Sequence, residues 1–128
     1  MTAEPSLQPI HLEILVATFV DTDEVSAIKL SDDSARDDHM IQFALPAASR
    51  PDVLGYEVVN AEGRAAFEPV TSWRLSGRDL YLEYLPRAAE MLGFPQIQHL
   101  RLSIPDADLA ELTRLLPQVV WDACYLVD

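Results

Sequence analysis

Trp73-Arg-Leu-Ser-Gly-Arg-Asp-Leu-Tyr-Leu-Glu-Tyr84 runs into Pro86-Arg-Ala-Ala-Glu-Met-Leu-Gly93, and then into the segments 96–104 and 105–120. The reading of this block decides the fold. Ser76-Gly77-Arg78-Asp79 is a hairpin turn between strands over 67–75 and 80–85, because Gly77 is free to take a positive φ. Leu80, Leu82 and Tyr84 share one strand face, with Tyr81 and Glu83 on the other. Pro86 opens a short helix over 87–92, since its fixed φ suits the first helical position. Gly93 supplies a left-handed cap and Pro95 blocks continuation. Segment 96–104 returns as a strand with Leu100, Leu102 and Ile104 on one face. Pro105 and Asp106 start a last helix, where Asp106 and Asp108 complement the helix dipole. Leu109, Leu112, Leu116 and Val119 form its apolar stripe. Pro117 lacks an N–H, so the helix is expected to end or kink near Leu116.

Working outward, residues 1–9 hold Pro5 and Pro9 and read as a loose lead-in. Segment 10–20 reads as one long strand, apolar on both faces and therefore central in its sheet. Segment 25–30 fits either a short strand or a single helical turn. Segment 39–45 is a clear strand, 47–54 a loop, and 55–60 a strand closed by an Asn60-Ala-Glu-Gly63 turn. The tail 121–128 is apolar enough to pack as an edge strand. All but one of the strand links are too short for a parallel crossover. The expected architecture is one α+β domain over 1–128, with a mostly antiparallel sheet of five to seven strands. Two helices, about 87–92 and 106–116/119, pack on one face of it.

Charge narrows the partners. The chain has 128 residues, with 21 acids against 9 bases, and a net charge of −12. Nucleic acid and anionic membrane both call for a cationic surface, so both are disfavoured. A basic protein partner, or simple solubility, is favoured. Segment 21–38 holds seven of the acids and two of the bases. Cys124 is the lone cysteine, which excludes an internal disulfide and fits a reducing compartment. The first residues lack the cationic stretch of a signal peptide, and the apolar run 14–20 is too short to span a bilayer. A cytoplasmic protein is expected.

Catalytic and metal constellations are sparse. Asp21, Asp23 and Asp32 echo a calcium loop, but position six is Ser26 rather than Gly and the interior is apolar. His11, His39 and His99 fall in three separate strands without ligand spacing. Cys124 reads as inert core, and the isolated glycines make no phosphate loop. Glu57 and Glu68 can be imagined facing each other across a hairpin as an acid–base pair, though so acidic a chain makes such pairs by chance. Trp73 carries two readings, core or exposed binding anchor, and Trp121 reads as core. No catalytic residue, cofactor or metal is expected, and the protein is read as not an enzyme.

The 73–84 hairpin, the Arg87-Ala88-Ala89-Glu90-Met91-Leu92-Gly93 helix, Leu100-Arg-Leu102 and the Leu109, Leu112, Leu116 stripe together resemble the immunity protein 10 family. Those are small bacterial proteins thought to neutralise polymorphic toxins. Upstream, His39-Met-Ile-Gln-Phe43, Gly55-Tyr56-Glu57-Val58 and Glu62-Gly63-Arg64 are similar to the family's middle strands and turn. The resemblance covers roughly 39–120. Pro117, the 46–54 loop and the tail after Val120 depart from the pattern. It implies a protein that binds and neutralises a cognate toxin domain, and the charge adds that this partner is basic and is occluded by an acidic surface. The expected contact residues are Asp21, Asp23, Glu24, Asp32, Asp33, Asp37 and Asp38, with Glu57, Glu62 and Glu68 as a second patch, and Trp73 if exposed. Two alternatives stand beside this: a scaffold or homodimeric assembly subunit joined through the tail strand or the 109–119 helix, and a small carboxylate-dependent enzyme.

Overall fold

A computed structural model describes residues 9–32, 39–46 and 55–128. In chain order its strands are β1 (Leu12–Ile14), β2 (Val16–Asp21), β3 (Val25–Ser31), β4 (Met40–Pro46), β5 (Glu57–Asn60), β6 (Ala65–Phe67), β7 (Val70–Ser76), β8 (Asp79–Tyr84), β9 (Ile97–Leu102) and β10 (Cys124–Val127). Helix α1 (Pro86–Leu92) lies between β8 and β9, and α2 (Asp106–Val119) between β9 and β10. The chain is α+β.

The strands form two five-stranded sheets rather than one. The mixed sheet has the order β1-β9-β8-β7-β10, with β1 parallel to β9 and β10 parallel to β7. The antiparallel sheet has the order β2-β3-β4-β5-β6. The extra sheet comes from segment 10–20, which is not one central strand. It breaks at Leu15, and its halves lie at the edges of different sheets: Ile14 pairs with Leu102, and Val16 with Ser31. Leu15 donates its N–H to Ser31 O at 2.9 Å, while Ser103 N–H reaches Ile14 O at 2.8 Å. A strand that changes sheets turns different faces inward before and after the break, which mimics a strand apolar on both sides. Segment 25–30 is strand.

The 73–120 block folds as its residues dictate. The β7–β8 hairpin turns at Gly77, whose φ is 60°, and Leu80, Leu82 and Tyr84 are buried while Glu83 is exposed. Helix α1 ends with Gly93 at φ 71°. Gly93 N–H bonds to Glu90 O at 3.2 Å and Phe94 N–H to Ala89 O at 2.9 Å, the paired bonds of a Schellman cap. Pro117 does not end α2, which continues to Val119. So near the C-terminus the missing N–H deprives only the Thr113 carbonyl, and Val120 N–H still closes onto Leu116 O at 2.9 Å.

One hydrophobic cluster joins both sheets and the helices. Helix α2 packs on β2, β3 and β4 and contributes Leu112, Leu115, Leu116 and Val119. Opposite them Ile28, Leu30, Ile41, Phe43 and Val58 are fully buried. Helix α1 lies against β6. The tail forms edge strand β10, but Trp121 is 55% exposed and Cys124 is exposed, so neither is core. No helix among the described residues is long and apolar enough to cross a membrane.

Candidate functional site

Strand alternation gives the antiparallel sheet a second face, which no described element covers. Because Ile28, Phe43 and Val58 point toward α2, their chain neighbours point away. Register aligns Val20, Ala27, Ala44, Glu57 and Phe67 in one row across all five strands. Thr18, Lys29, Gln42, Val59 and Ala65 form the next. Apolar side chains dominate the first row, and the second mixes Val59 and Ala65 with Thr18, Lys29 and Gln42. Phe67 is 59% exposed and Val20 40%, on the outward side of a well-packed sheet.

The same register sorts the acidic residues. Asp21, Asp23 and Glu24 sit at the β2–β3 turn, and Asp32 follows the far end of β3, about 20 Å away along a seven-residue strand. The acidic segment is therefore not one contact surface, and Asp21, Asp23 and Asp32 do not line one loop. Glu57 pairs with Ala44 and Phe67, which places it, with Glu68, at the Asp21 end. Asn60 pairs with Ile41, which places the Asn60–Gly63 turn and Glu62 at the Asp32 end. Asp21, Asp23, Glu24, Glu57 and Glu68 thus lie along one end of the sheet, spread from β2 to β6, with Asp21 turned to Arg114 of α2. Asp33, Asp37 and Asp38 lie outside the described residues.

Local bonding holds this end in shape. Thr22 Oγ1 accepts from the backbone N–H of Glu24 and Val25, both at 3.2 Å, and fixes the turn. Ser26 Oγ donates to Asp21 Oδ1 at 3.0 Å, and Arg114 of α2 reaches Asp21 Oδ2 at 3.2 Å and Glu111 Oε2 at 2.6 Å. Asp23, Glu24 and Glu57 are exposed. Glu68 is the one described non-glycine residue with positive φ, at 46°. Its side chain fills the space where Gly55 lacks a Cβ. Burial raises the Glu68 carboxyl above its ordinary value, and the negative charge of Asp122 adds to this. Next to it the buried Tyr56 hydroxyl accepts from Val70 N–H at 3.1 Å and donates to Val70 O at 3.3 Å. Glu57 and Glu68 do not form the imagined acid–base pair: Glu57 stands opposite Phe67, and the Glu68 carboxyl turns to Gly55 and Asp122.

The opposite end of the sheet brings together histidines that sequence spacing had kept apart. His11, Asp32 and His39 line one open cleft. His39 Nδ1 bonds to Asp32 Oδ2 at 2.9 Å. His11 Nδ1 accepts from Gln98 Nε2 at 3.1 Å, and Gln98 Oε1 accepts from the buried Tyr84 hydroxyl at 2.6 Å. Burial, with the nearby His39, lowers the His11 pKa. That agrees with an imidazole whose Nδ1 is an acceptor. Among the described residues no group of three or more His, Cys, Asp or Glu converges as a metal site. Asn60 is structural: its Oδ1 accepts from Glu62 and Arg64 N–H at 3.1 and 2.8 Å, and its Nδ2 reaches Leu92 O at 2.9 Å.

Trp73 resolves to core. It is 3% exposed and stacks on Tyr125 with ring centroids 4.8 Å apart, so it is no exposed anchor. The residues the sequence did not reveal are Val20 and Phe67. Their spacing does alternate, but which parity faces outward depends on where α2 docks. No protein-family model, curated protein or solved structure matches the chain.

Proposed function

We propose that this chain is a non-enzymatic inhibitor of the immunity type, which binds a basic toxin domain in the bacterial cytoplasm through the outer face of its antiparallel sheet. The observation that carries the reading is the row Val20, Ala27, Ala44, Glu57 and Phe67, which no described element covers, with Asp21, Asp23 and Glu24 beside its β2 end and Glu68 beside its β6 end. An apolar centre with a charged rim is the anatomy of a protein interface. Phe67 is the aromatic anchor, and the acids steer a cationic partner onto it. The resemblance of 39–120 to the immunity protein 10 family supports the same class.

The test is co-expression with the toxic C-terminal domain of a large secreted protein encoded next to this gene. Rescue is expected for the native chain. Phe67→Arg should abolish it, and Asp23→Asn with Glu24→Gln and Glu57→Gln should slow association by about tenfold or more at low salt. Failure of the native chain to rescue ends the immunity reading. Unimpaired rescue by Phe67→Arg moves the contact surface elsewhere.

A further inference from the structure

A sheet edge offers unpaired backbone donors and acceptors, and folded proteins usually shorten, charge, kink or cover it. The two sheets have four edges, β1, β10, β2 and β6. Strands β1 and β6 are three residues each. Strand β2 is leaned on by α2 and ends at Asp21, which Arg114 holds. Strand β10, at four residues, is longer than β1 and β6, and no described element covers it. Cys124, Tyr125, Leu126 and Val127 carry no charge and no proline, pair with β7 in unbroken register, and are all exposed.

Its free backbone groups can be assigned. Asp128 N–H donates to Leu75 O at 2.9 Å, so that residue turns inward. Strand groups alternate sides, so Cys124 and Leu126 also face β7, while Tyr125 and Val127 present N–H and C=O to the open edge. From the edge a mainly apolar groove crosses the sheet face, lined by Cys124 and Leu126 on β10 and by Arg74, Tyr81, Glu83 and Ile97 further in. Acids mark both ends of the strand. Asp128 is held by Arg74 at 2.8 Å, and exposed Asp122 sits near Glu68, whose carboxyl it helps to raise. Exposed Asp122, beside Glu68, favours an incoming cation.

We propose that β10 accepts an extended segment of another protein as a sixth strand of the mixed sheet, with apolar side chains at alternate positions and a Lys or Arg that reaches Asp122 and Glu68. Main-chain bonds to Tyr125 and Val127 supply affinity, and the groove and the acids supply selection. A second copy of this chain is the poorer occupant. Antiparallel pairing of two β10 strands would set Asp122 and Asp128 of one copy against those of the other, between chains of net charge −12. The proposal is independent of the outer face of the antiparallel sheet.

Fluorescence anisotropy on the full chain tests it with two labelled peptides, Lys-Val-Thr-Val-Thr-Val-Lys and the same core with Glu at both ends. The lysine peptide should bind at least about tenfold more tightly, since like charges at the ends penalise the other. Val127→Pro removes only an outward N–H and should abolish binding. Asp122→Asn should shrink the preference between peptides. If Val127→Pro is unfolded by circular dichroism, Val127→Lys replaces it, because a charged edge residue leaves the ladder to β7 intact. No binding of the lysine peptide, equal binding of both, or unchanged binding in the folded edge variant overturns the proposal. So does a concentration-dependent dimer of the free protein that the edge variant dissolves, since that assigns the edge to a second copy.

Discussion

The two sheets have outward faces of opposite character. On the mixed sheet the outward charges are paired. Asp79 accepts from His99 at 2.8 Å and Arg101 at 2.9 Å, Tyr81 stacks on His99 with centroids 4.4 Å apart, and Ser72 donates to Glu83 at 3.1 Å. On the antiparallel sheet the outward rows are Val, Ala, Thr and Phe, with one lysine, one glutamine and one glutamate across ten aligned positions. On the mixed sheet, charges are satisfied by their own neighbours. A face made of small apolar side chains gains little from water and is arranged to meet another surface. In so acidic a chain, a face with one carboxylate in ten aligned positions is more informative than the acids elsewhere.

The comparison breaks most readily through stability. Leu112→Ala, on the inward side, should cost about 2–5 kcal/mol, whereas Phe67→Ala, on the outward side, should stay within about 0.5 kcal/mol. Urea unfolding measures both. A large loss at Phe67 would make the outer face structural and remove it as an interface. Glu68→Gly should stabilise by about 1 kcal/mol, because glycine adopts a φ of 46° without strain. A loss instead would show that its carboxyl does more for folding than its backbone costs.

The pH dependences of the two sheets should run in opposite directions. Burial alone would raise Asp79, but hydrogen bonds from His99 and Arg101 hold its pKa below the ordinary carboxylate value. Its contribution to stability is therefore complete above the usual carboxylate range and is lost as the pH falls through the lowered value. Glu68 is raised, so its contribution is complete at low pH and declines as the pH rises through the raised value. Relative to the native chain, Asp79→Asn should be least damaging in acid. Glu68→Gln should be more stabilising at neutral pH than in acid. Melting temperatures of the two variants between pH 3 and 7 decide this, and parallel curves would refute the contrast. The smallest effect expected is that of Arg114→Ala. Its exposed bonds to Glu111 and Asp21 should leave the melting temperature nearly unchanged.

The sequence by itself determined the elements from β7 to α2. Gly77, Pro86, Gly93 and Pro105 act within a few residues of themselves, and Leu80, Leu82, Leu112 and Leu116 announce their faces through local periodicity. It also determined the charge balance and the edge position of the tail. Only the tertiary structure decided that segment 10–20 divides between two sheets, because the break at Leu15 arises from pairing with strands some fifteen and ninety residues away. It also carried α2 across Pro117, buried Trp73 and exposed Trp121. Above all it separated Asp32 from Asp21 while placing Asp21, Glu57 and Glu68 at the same end of the antiparallel sheet. Neighbours across a sheet are set by register, which long-range packing selects and no short window of sequence contains.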